Sequence, residues 1–341
     1  MSAQTRSRTA AAIALAAVTT GAALLTGCGP TTAGSAAASP TITLTGTPKA
    51  GSAVPVGATT PSAAASSAAA PAKNGTANSR LTISDGSSHV LMNGTSVDFG
   101  TVVRDLAWSP DGSKAAFIDG AGNLDISGPD GSGRVRVAKA PGGQAWSHPT
   151  WQVTGVDPVN HVPTKNSIFF AASQGGVSRL EKVSATAVDG TPQVLELLQE
   201  GGGENPAALP QTGNTWPNGA GTHGSAVYAN SNGNVYIRDE YLRQGGSVLA
   251  PGSQPAMAPD EATIVFVRSV DGHDHIFRTN SDRTATDLTP HATTDYTEPA
   301  FSPDGKTLAV RTPDGVATLP ADGSAAPVVV STYPGLPAYR G

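Results

Sequence analysis

The chain of 341 residues has few of the residues from which common active sites are built. Its single cysteine excludes an intrachain disulfide framework and the cysteine-rich zinc motifs. It also lacks the Gly-x-Ser-x-Gly sequence of a large class of serine hydrolases, and a glycine-rich phosphate loop between a strand and a helix. We therefore assign no catalytic residue and expect no cofactor and no metal site.

Charged and helix-forming patterns are scarce as well. Charged residues make up 14% of the chain, and its formal net charge of −5 becomes more negative if a segment containing Arg6 and Arg8 is removed. A chain of this sign is a poor candidate for binding nucleic acid. Helical periodicity is hard to find, while the 40 glycines are often paired with Asp or Asn in turn sequences, so the pattern predicts an all-β protein.

The N-terminus has the features of an export signal. Arg6 and Arg8 precede an uncharged run from Ala10 to Leu25, which is short for a membrane span. The next residues complete the sequence Leu25-Thr26-Gly27-Cys28, which resembles the bacterial lipobox. That resemblance implies cleavage before Cys28 and lipidation of its sulfur, with residues 1–27 as the signal peptide. The alternative is an ordinary secretion signal followed by an incidental thiol.

Residues 28–78 are predicted to be a disordered linker that follows the lipidated cysteine. After Cys28 the segment is rich in Ala, Ser, Thr, Pro and Gly, and its only charged residues are Lys49 and Lys73. Such a composition buries too little apolar surface to offset the entropy of ordering. One alternating stretch, Thr41–Thr45, is compatible with a strand.

The rest of the chain, residues 79–341, contains a repeated unit. Its clearest copy runs from Asp105 through the apolar Leu106–Trp108 to Ser109-Pro110-Asp111-Gly112, which fits a type I turn, and continues in further strand-length segments. The phrase returns as Phe301-Ser-Pro-Asp-Gly305, with weaker copies between the two. Each unit predicts a small antiparallel sheet of three or four strands.

The spacing of these units predicts the architecture. Each copy has one aromatic or methionine anchor, and these are Trp108, Trp151, Trp216, Met257, Phe301 and Tyr339. Their spacings are 43, 65, 41, 44 and 38 residues, and an insertion within 153–166 and 201–213 accounts for the long step. A period of about 40 to 50 residues with four strands per unit is typical of a β-propeller blade. We predict a six-bladed β-propeller.

The phrase Trp108-Ser-Pro-Asp-Gly112 resembles the PD40 or WD40-like repeat of TolB β-propellers. The resemblance covers roughly residues 80–341 and implies six blades. It also implies binding of peptide segments from envelope partners, and some propeller lipoproteins modulate a sensor kinase. The chain differs from TolB in its lipobox and in the absence of the α/β domain that precedes the TolB propeller.

The two ends of the repeat region are predicted to share one blade. Only Arg340 and Gly341 follow Tyr339, so the last unit has its innermost strand alone, and Arg80–Met92 aligns with the two outer strands of the first full unit. This count leaves the shared blade without its second strand. Either Thr41–Thr45 or another linker segment fills the gap, the blade has three strands, or a partner supplies one.

A candidate binding ring lies three residues before each anchor. These positions are Asp105, His148, Gly213, Gln254, Glu298 and Leu336. Equivalent positions on the innermost strands surround the central channel, so the polar members Asp105, His148, Gln254 and Glu298 are the predicted binding residues. The alternative is that they cap the starts of strands. If the ring is a site, its two carboxylates and histidine favour a cation or a basic peptide.

One further pattern is His273-Asp274-His275, whose two imidazoles have a spacing seen among metal ligands. No third ligand is identifiable, and the preceding Asp271-Gly272 favours a solvated hairpin turn.

Together these observations predict an exported lipoprotein, anchored at the extracytoplasmic face of the cell membrane. Its propeller would act as a monomeric binding or scaffold module for an envelope protein or peptide. The alternative is a propeller enzyme that acts on sugars or lactones with a cation in the channel.

Overall fold

The computed structural model describes residues 72–197, 208–219, 221, 223–239, 245–279 and 284–341. The predicted signal peptide, Cys28, Thr41–Thr45 and most of the predicted linker lie outside these residues. Within them, 24 strands form six four-stranded antiparallel sheets. No helix in the described part of the chain is long and apolar enough to cross a bilayer.

The sheets are the blades of a propeller, numbered here in chain order. Blade 1 combines β1 (Leu81–Ser84), β2 (His89–Met92) and β3 (Thr95–Asp98) with the last strand, β24 (Leu336–Tyr339). Blade 2 contains β4 (Arg104–Trp108), β5 (Ala115–Ile118), β6 (Leu124–Ser127) and β7 (Val135–Ala138). Blade 3 contains β8 (Gln144–Thr154), β9 (Lys165–Gln174), β10 (Val177–Ser184) and β11 (Gln193–Val194).

The other three blades repeat this order. Blade 4 contains β12 (Asn214–Gly219), β13 (Ala226–Asn230), β14 (Asn234–Arg238) and β15 (Gly246–Pro251). Blade 5 contains β16 (Ser253–Met257), β17 (Ile264–Val270), β18 (His273–Thr279) and β19 (Ala285–Asp287). Blade 6 contains β20 (Thr297–Phe301), β21 (Thr307–Thr312), β22 (Gly315–Pro320) and β23 (Val328–Ser331).

The innermost strands are β4, β8, β12, β16, β20 and β24, and each contacts those of its two neighbours, with β24 beside β4. The ring of six blades is therefore closed, as the repeat predicted. Both faces of each blade pack on an adjacent blade, and second strands such as β5 and β13 are consequently buried along their whole length. The buried side chains lie in clusters between neighbouring blades.

The predicted turn after the first anchor is confirmed. The N–H of Gly112 donates to the carbonyl oxygen of Ser109 at 2.8 Å, and Ser109 Oγ donates to Asp111 Oδ1 at 2.6 Å. Gly112 has a φ of 64°, which favours glycine. The copy at 302–305 makes the same backbone bond from Gly305 to Ser302 at 2.8 Å.

The ring closes within blade 1, where β1 pairs antiparallel with β24. Thr82 Oγ1 donates to the carbonyl oxygen of Ala338 at 2.9 Å and accepts a 2.9 Å hydrogen bond from Trp108 Nε1 of blade 2. Arg340 Nε donates to the carbonyl oxygen of Gly112 at 2.7 Å, also in blade 2. The prediction that N- and C-terminal strands share one blade is confirmed.

The expectation that this blade lacks its second strand is wrong. β1 is the second strand of the blade, β2 the third and β3 the outermost. Arg80–Met92 therefore supplies the second and third strands, whereas the alignment assigned this segment to the third and fourth. The reason is the turn at Asn93-Gly94, whose φ angles of 51° and 78° suit a two-residue hairpin. This turn folds Thr95–Asp98 back onto β2, and the chain itself completes the blade.

Candidate functional site

A cavity of about 270 Å³ runs along the propeller axis and is lined by residues of all six innermost strands. The innermost strands begin at one face of the propeller, called here the ring face because it carries the ring positions. Asp105, His148, Glu298 and Leu336 line the cavity at that end, and Pro110, Pro259 and Pro303 line it at the opposite face. Gln254 is not among the lining residues.

The ring positions share an unusual backbone. In five of the six blades the innermost strand has a one-residue register shift at this point, which is a β-bulge. The first residue of each bulge has a positive φ, and these residues are Asp105 (54°), His148 (52°), Trp216 (54°), Gln254 (45°) and Glu298 (51°). A left-handed conformation is uncommon for residues other than glycine, and bulky ones adopt it under strain.

Trp216, rather than Gly213, occupies the ring position of blade 4. The bulge of β12 lies between Thr215 and Asn218, and Gly219 pairs with Ala226 where the other blades have their anchors. The assignment of Gly213 from Trp216 as the anchor is therefore three residues out of register. A proline follows the ring residue in His148-Pro149, Gln254-Pro255, Glu298-Pro299 and Leu336-Pro337. Pro217 follows Trp216 in the same way, so the sequence itself indicates that Trp216 is a ring residue.

Two ring residues link neighbouring blades. Asp105 Oδ2 accepts a 3.0 Å hydrogen bond from the backbone N–H of His148, the next ring position. Gln254 Oε1 accepts one of 2.8 Å from the backbone N–H of Glu298. Each bond joins a ring position to the equivalent position of the following blade, so both side chains serve the structure of the ring. Their binding role stays a prediction.

His148 and Trp216 form an aromatic pair at the ring face. Their ring centroids are 3.8 Å apart and their planes meet at 33°. His148 Nδ1 is buried and has no hydrogen-bond partner within the described residues. Burial lowers the pKa of His148, against the opposing effect of the Asp105 carboxylate. The neutral imidazole is therefore favoured at pH 7, since a proton on Nδ1 would have no acceptor.

The ring-face end of the cavity, lined by Asp105, His148 and Glu298, is called here the mouth. Glu298 is its second carboxylate, and the side chain of Glu298 is 15% exposed. Burial raises its pKa, while Arg311 opposes this effect and the charge of Asp105 adds to it. Arg311 Nη1 lies 3.2 Å from both carboxylate oxygens of Glu298. Arg311 is on β21 rather than on an innermost strand, so the ring pattern in the sequence could not identify it.

The two histidines of β18 are paired with different carboxylates. The hairpin turn at Asp271-Gly272 is confirmed by φ angles of 50° and 89°. His273 Nδ1 lies 3.4 Å from Asp295, whereas His275 Nδ1 lies 2.9 Å from Asp287. His275 is buried, which corrects the expectation of a solvated turn for that residue because it belongs to the strand. No group of three or more His, Cys, Asp or Glu side chains in the described ranges is placed to hold a metal ion.

Known proteins resemble the chain in structure but not in overall sequence. No protein-family model and no curated protein matches it. A TolB-type protein from Agrobacterium tumefaciens aligns with a TM-score of 0.51 and 17% identity, over 75% of this chain and 89% of that one. TolB from Acinetobacter baumannii aligns with a TM-score of 0.52 and 14% identity, over 76% of this chain and 65% of that one. A chain of the nidogen/laminin complex aligns with a TM-score of 0.52 and 13% identity, over 76% and 97%.

These identities are low, and the likeness extends to the fold. It confirms the six-bladed β-propeller and the predicted similarity to TolB propellers at that level. Proteins of many different activities share the propeller fold, so the function is inferred from the geometry of the mouth.

Proposed function

We propose that the chain is an exported lipoprotein, anchored through Cys28 at the extracytoplasmic face of the cell membrane. Its propeller binds a protein or peptide of the cell envelope at the ring face. In this proposal residues 1–27 are the signal peptide, residues 28–78 are the lipidated cysteine and linker, and residues 79–341 are the binding domain. The sequence Leu25-Thr26-Gly27-Cys28 supports the anchor.

The observation that carries the binding role is the open cavity together with the side chains at its mouth. Trp216 and His148 lie in strained backbone conformations, line the cavity, and stack on each other at its ring-face end. Strain of this kind is concentrated at functional sites. The TolB proteins with a similar fold add support for an envelope partner, as the sequence resemblance does.

The alternative of a sugar- or lactone-processing enzyme has less support. It needs a cation in the channel, and the described residues supply no set of three ligands there. Asp105, His148 and Glu298 all line the cavity, yet Asp105 also bonds to the backbone of His148 and Glu298 is paired with Arg311. The binding module therefore remains the better proposal.

Photocrosslinking in intact cells tests the proposal. Tyr333 is 40% exposed in the loop that enters β24 on the ring face, and Val188 is 72% exposed in the loop between β10 and β11 on the opposite face. Each is replaced in turn by benzoylphenylalanine. We expect a discrete crosslinked envelope protein from position 333 and none from position 188. The same products from both positions, or no product from 333, would contradict the proposal.

A further inference from the structure

We infer that the mouth of the channel selects an arginine side chain of the bound protein, held by Asp105 and Trp216. This inference rests on the proposed function, because it names the group that the ring face would recognise. It is carried by the charge balance of the mouth, by the aromatic pair and by the size of the cavity.

The charge balance leaves one negative charge at the mouth. Glu298 is neutralised by Arg311, whose Nη1 bridges its two carboxylate oxygens at 3.2 Å. Asp105 has no ion-pair partner among the residues that the structure describes. One of its oxygens, Oδ2, accepts the N–H of His148 at 3.0 Å, and Oδ1 takes part in no hydrogen bond of the described chain.

The cation that lies closest to Asp105 in sequence already binds another group. Arg104, which precedes Asp105, donates through Nη2 to the carbonyl oxygen of Asp119 at 2.9 Å. His148 does not supply a positive charge either, because a proton on its buried Nδ1 would find no hydrogen-bond acceptor in the described chain. A guest cation would therefore meet an uncompensated carboxylate in a cavity that an aromatic side chain also lines.

The aromatic surface favours a planar cation. Trp216 lines the cavity and stacks with His148 at 3.8 Å, which fixes the orientation of the indole. A guanidinium group stacks on tryptophan and binds a carboxylate through a planar fork of N–H donors, whereas an ammonium group acts as a point charge. Asp105 thus offers a carboxylate for the planar fork of an arginine, and Trp216 offers an aromatic face on which the same guanidinium group stacks. A lysine ammonium group has no planar fork with which to use both.

The cavity also has a suitable size. Its volume of about 270 Å³ is just below the range of roughly 300–1,000 Å³ that is typical of pockets for drug-sized ligands. A single long side chain fits such a space better than a folded segment does. The partner's backbone would then lie across the ring face, with the arginine inserted along the axis.

Titration of the full-length mature chain with two peptides tests the inference. The probes are acetyl-Gly-Gly-Arg-Gly-Gly-amide and its lysine counterpart, followed by nuclear magnetic resonance at the tryptophan indole N–H groups. We expect the arginine peptide to bind about tenfold more tightly than the lysine peptide, because a guanidinium group can both stack on the indole and bind the carboxylate through two N–H groups. The indole of Trp216 should shift most.

Two variants and a matched control complete the test. Asp105→Asn keeps an acceptor for the N–H of His148 but removes the charge, and Trp216→Leu removes the aromatic surface. Each should abolish the preference for arginine. Asp314→Asn removes an exposed carboxylate from a turn of the same face, outside the cavity, and should leave binding unchanged.

Equal affinity for the two peptides, no binding of the arginine peptide at 10 mM, or an unchanged preference in Asp105→Asn would overturn the inference. The proposed function fails separately, through the absence of a crosslink at position 333. A crosslinked partner whose capture does not depend on any of its arginines would overturn the inference alone.

Discussion

The backbone N–H of His148 donates a 3.0 Å hydrogen bond to Oδ2 of Asp105 in the preceding blade. Gln254 and Glu298 repeat this relationship at 2.8 Å between blades 5 and 6. The ring positions therefore have two roles in this account. Some side chains join one blade to the next, while the ring that they hold in place presents His148 and Trp216 to the cavity.

Asp105→Ala should lower the free energy of unfolding by about 1–2 kcal/mol, because it leaves the N–H of His148 without its acceptor. Asp105→Asn should cost less than half as much, since the amide oxygen can still accept. Urea denaturation of both variants measures the difference. Equal losses in the two variants would show that the bond between the blades is not what Asp105 contributes.

Two stacked tyrosines in blade 4 should respond in opposite ways to loss of their hydroxyl groups. Tyr228 is fully buried and its hydroxyl has no hydrogen-bond partner in the described chain, whereas the hydroxyl of Tyr236 accepts a 2.8 Å bond from Asn232 Nδ2. Tyr228→Phe should leave the free energy of unfolding unchanged or raise it by up to about 1 kcal/mol. Tyr236→Phe should lower it by about 1 kcal/mol. Thermal denaturation checks the signs, and a larger loss from Tyr228→Phe would contradict this description of the core.

Asp125 should make stability depend on pH. Burial raises the pKa of this carboxyl from 3.8 to about 6, with a further contribution from Asp119 and opposition from Arg134. Between these two values the folded protein binds a proton that the unfolded chain does not, so this group adds stability as the pH falls from 7 to 4. Asp125→Asn should therefore be more stable than the parent at pH 7, by about 1–2 kcal/mol.

That advantage should shrink as the pH passes below 6 and vanish near 4. Denaturant unfolding at pH 7.5, 6 and 4.5 measures it. Arg134→Gln is the companion variant, and it should steepen the pH dependence because the 3.6 Å contact with Asp125 is lost. A gap between Asp125→Asn and the parent that is constant across this range would refute the assignment.

Cys28 should determine processing of the precursor. Globomycin, which blocks the lipoprotein signal peptidase, should cause an uncleaved form to accumulate, and Cys28→Ser should abolish incorporation of labelled fatty acid. Immunoblotting and metabolic labelling give the two readouts. Unchanged processing in the presence of globomycin would leave an ordinary secretion signal as the explanation.

The sequence was sufficient to predict the blades because each carries its own local signals. Trp108-Ser109-Pro110-Asp111-Gly112 contains an anchor and a turn within five residues, and short-range hydrogen bonds enforce that turn. The sharing of blade 1 by N- and C-terminal strands was predictable because the last repeat unit contains only its innermost strand. The position of β3 could also have been found, because Asn93-Gly94 between two strand-like segments is a strong hairpin signal.

The site was harder to predict because it depends on register and on neighbouring strands. Taking Trp216 as an anchor conceals its ring position, and the correct alignment is revealed by the proline that follows five of the six ring residues, Trp216 among them. Arg311 reaches Glu298 from the second strand of the same blade, thirteen residues further along the chain. The stacking of His148 on Trp216 joins two blades, and no local pattern encodes it.

In the proposed function the partner binds at the mouth formed by Trp216, His148 and Asp105. The most direct measurement is the yield of the photocrosslinked product from position 333 in intact cells, compared between the parent and Trp216→Leu at equal expression and with folding verified by thermal denaturation. We predict that the yield falls at least fivefold, the effect of removing one aromatic contact at the centre of an interface. An undiminished yield would contradict the claim.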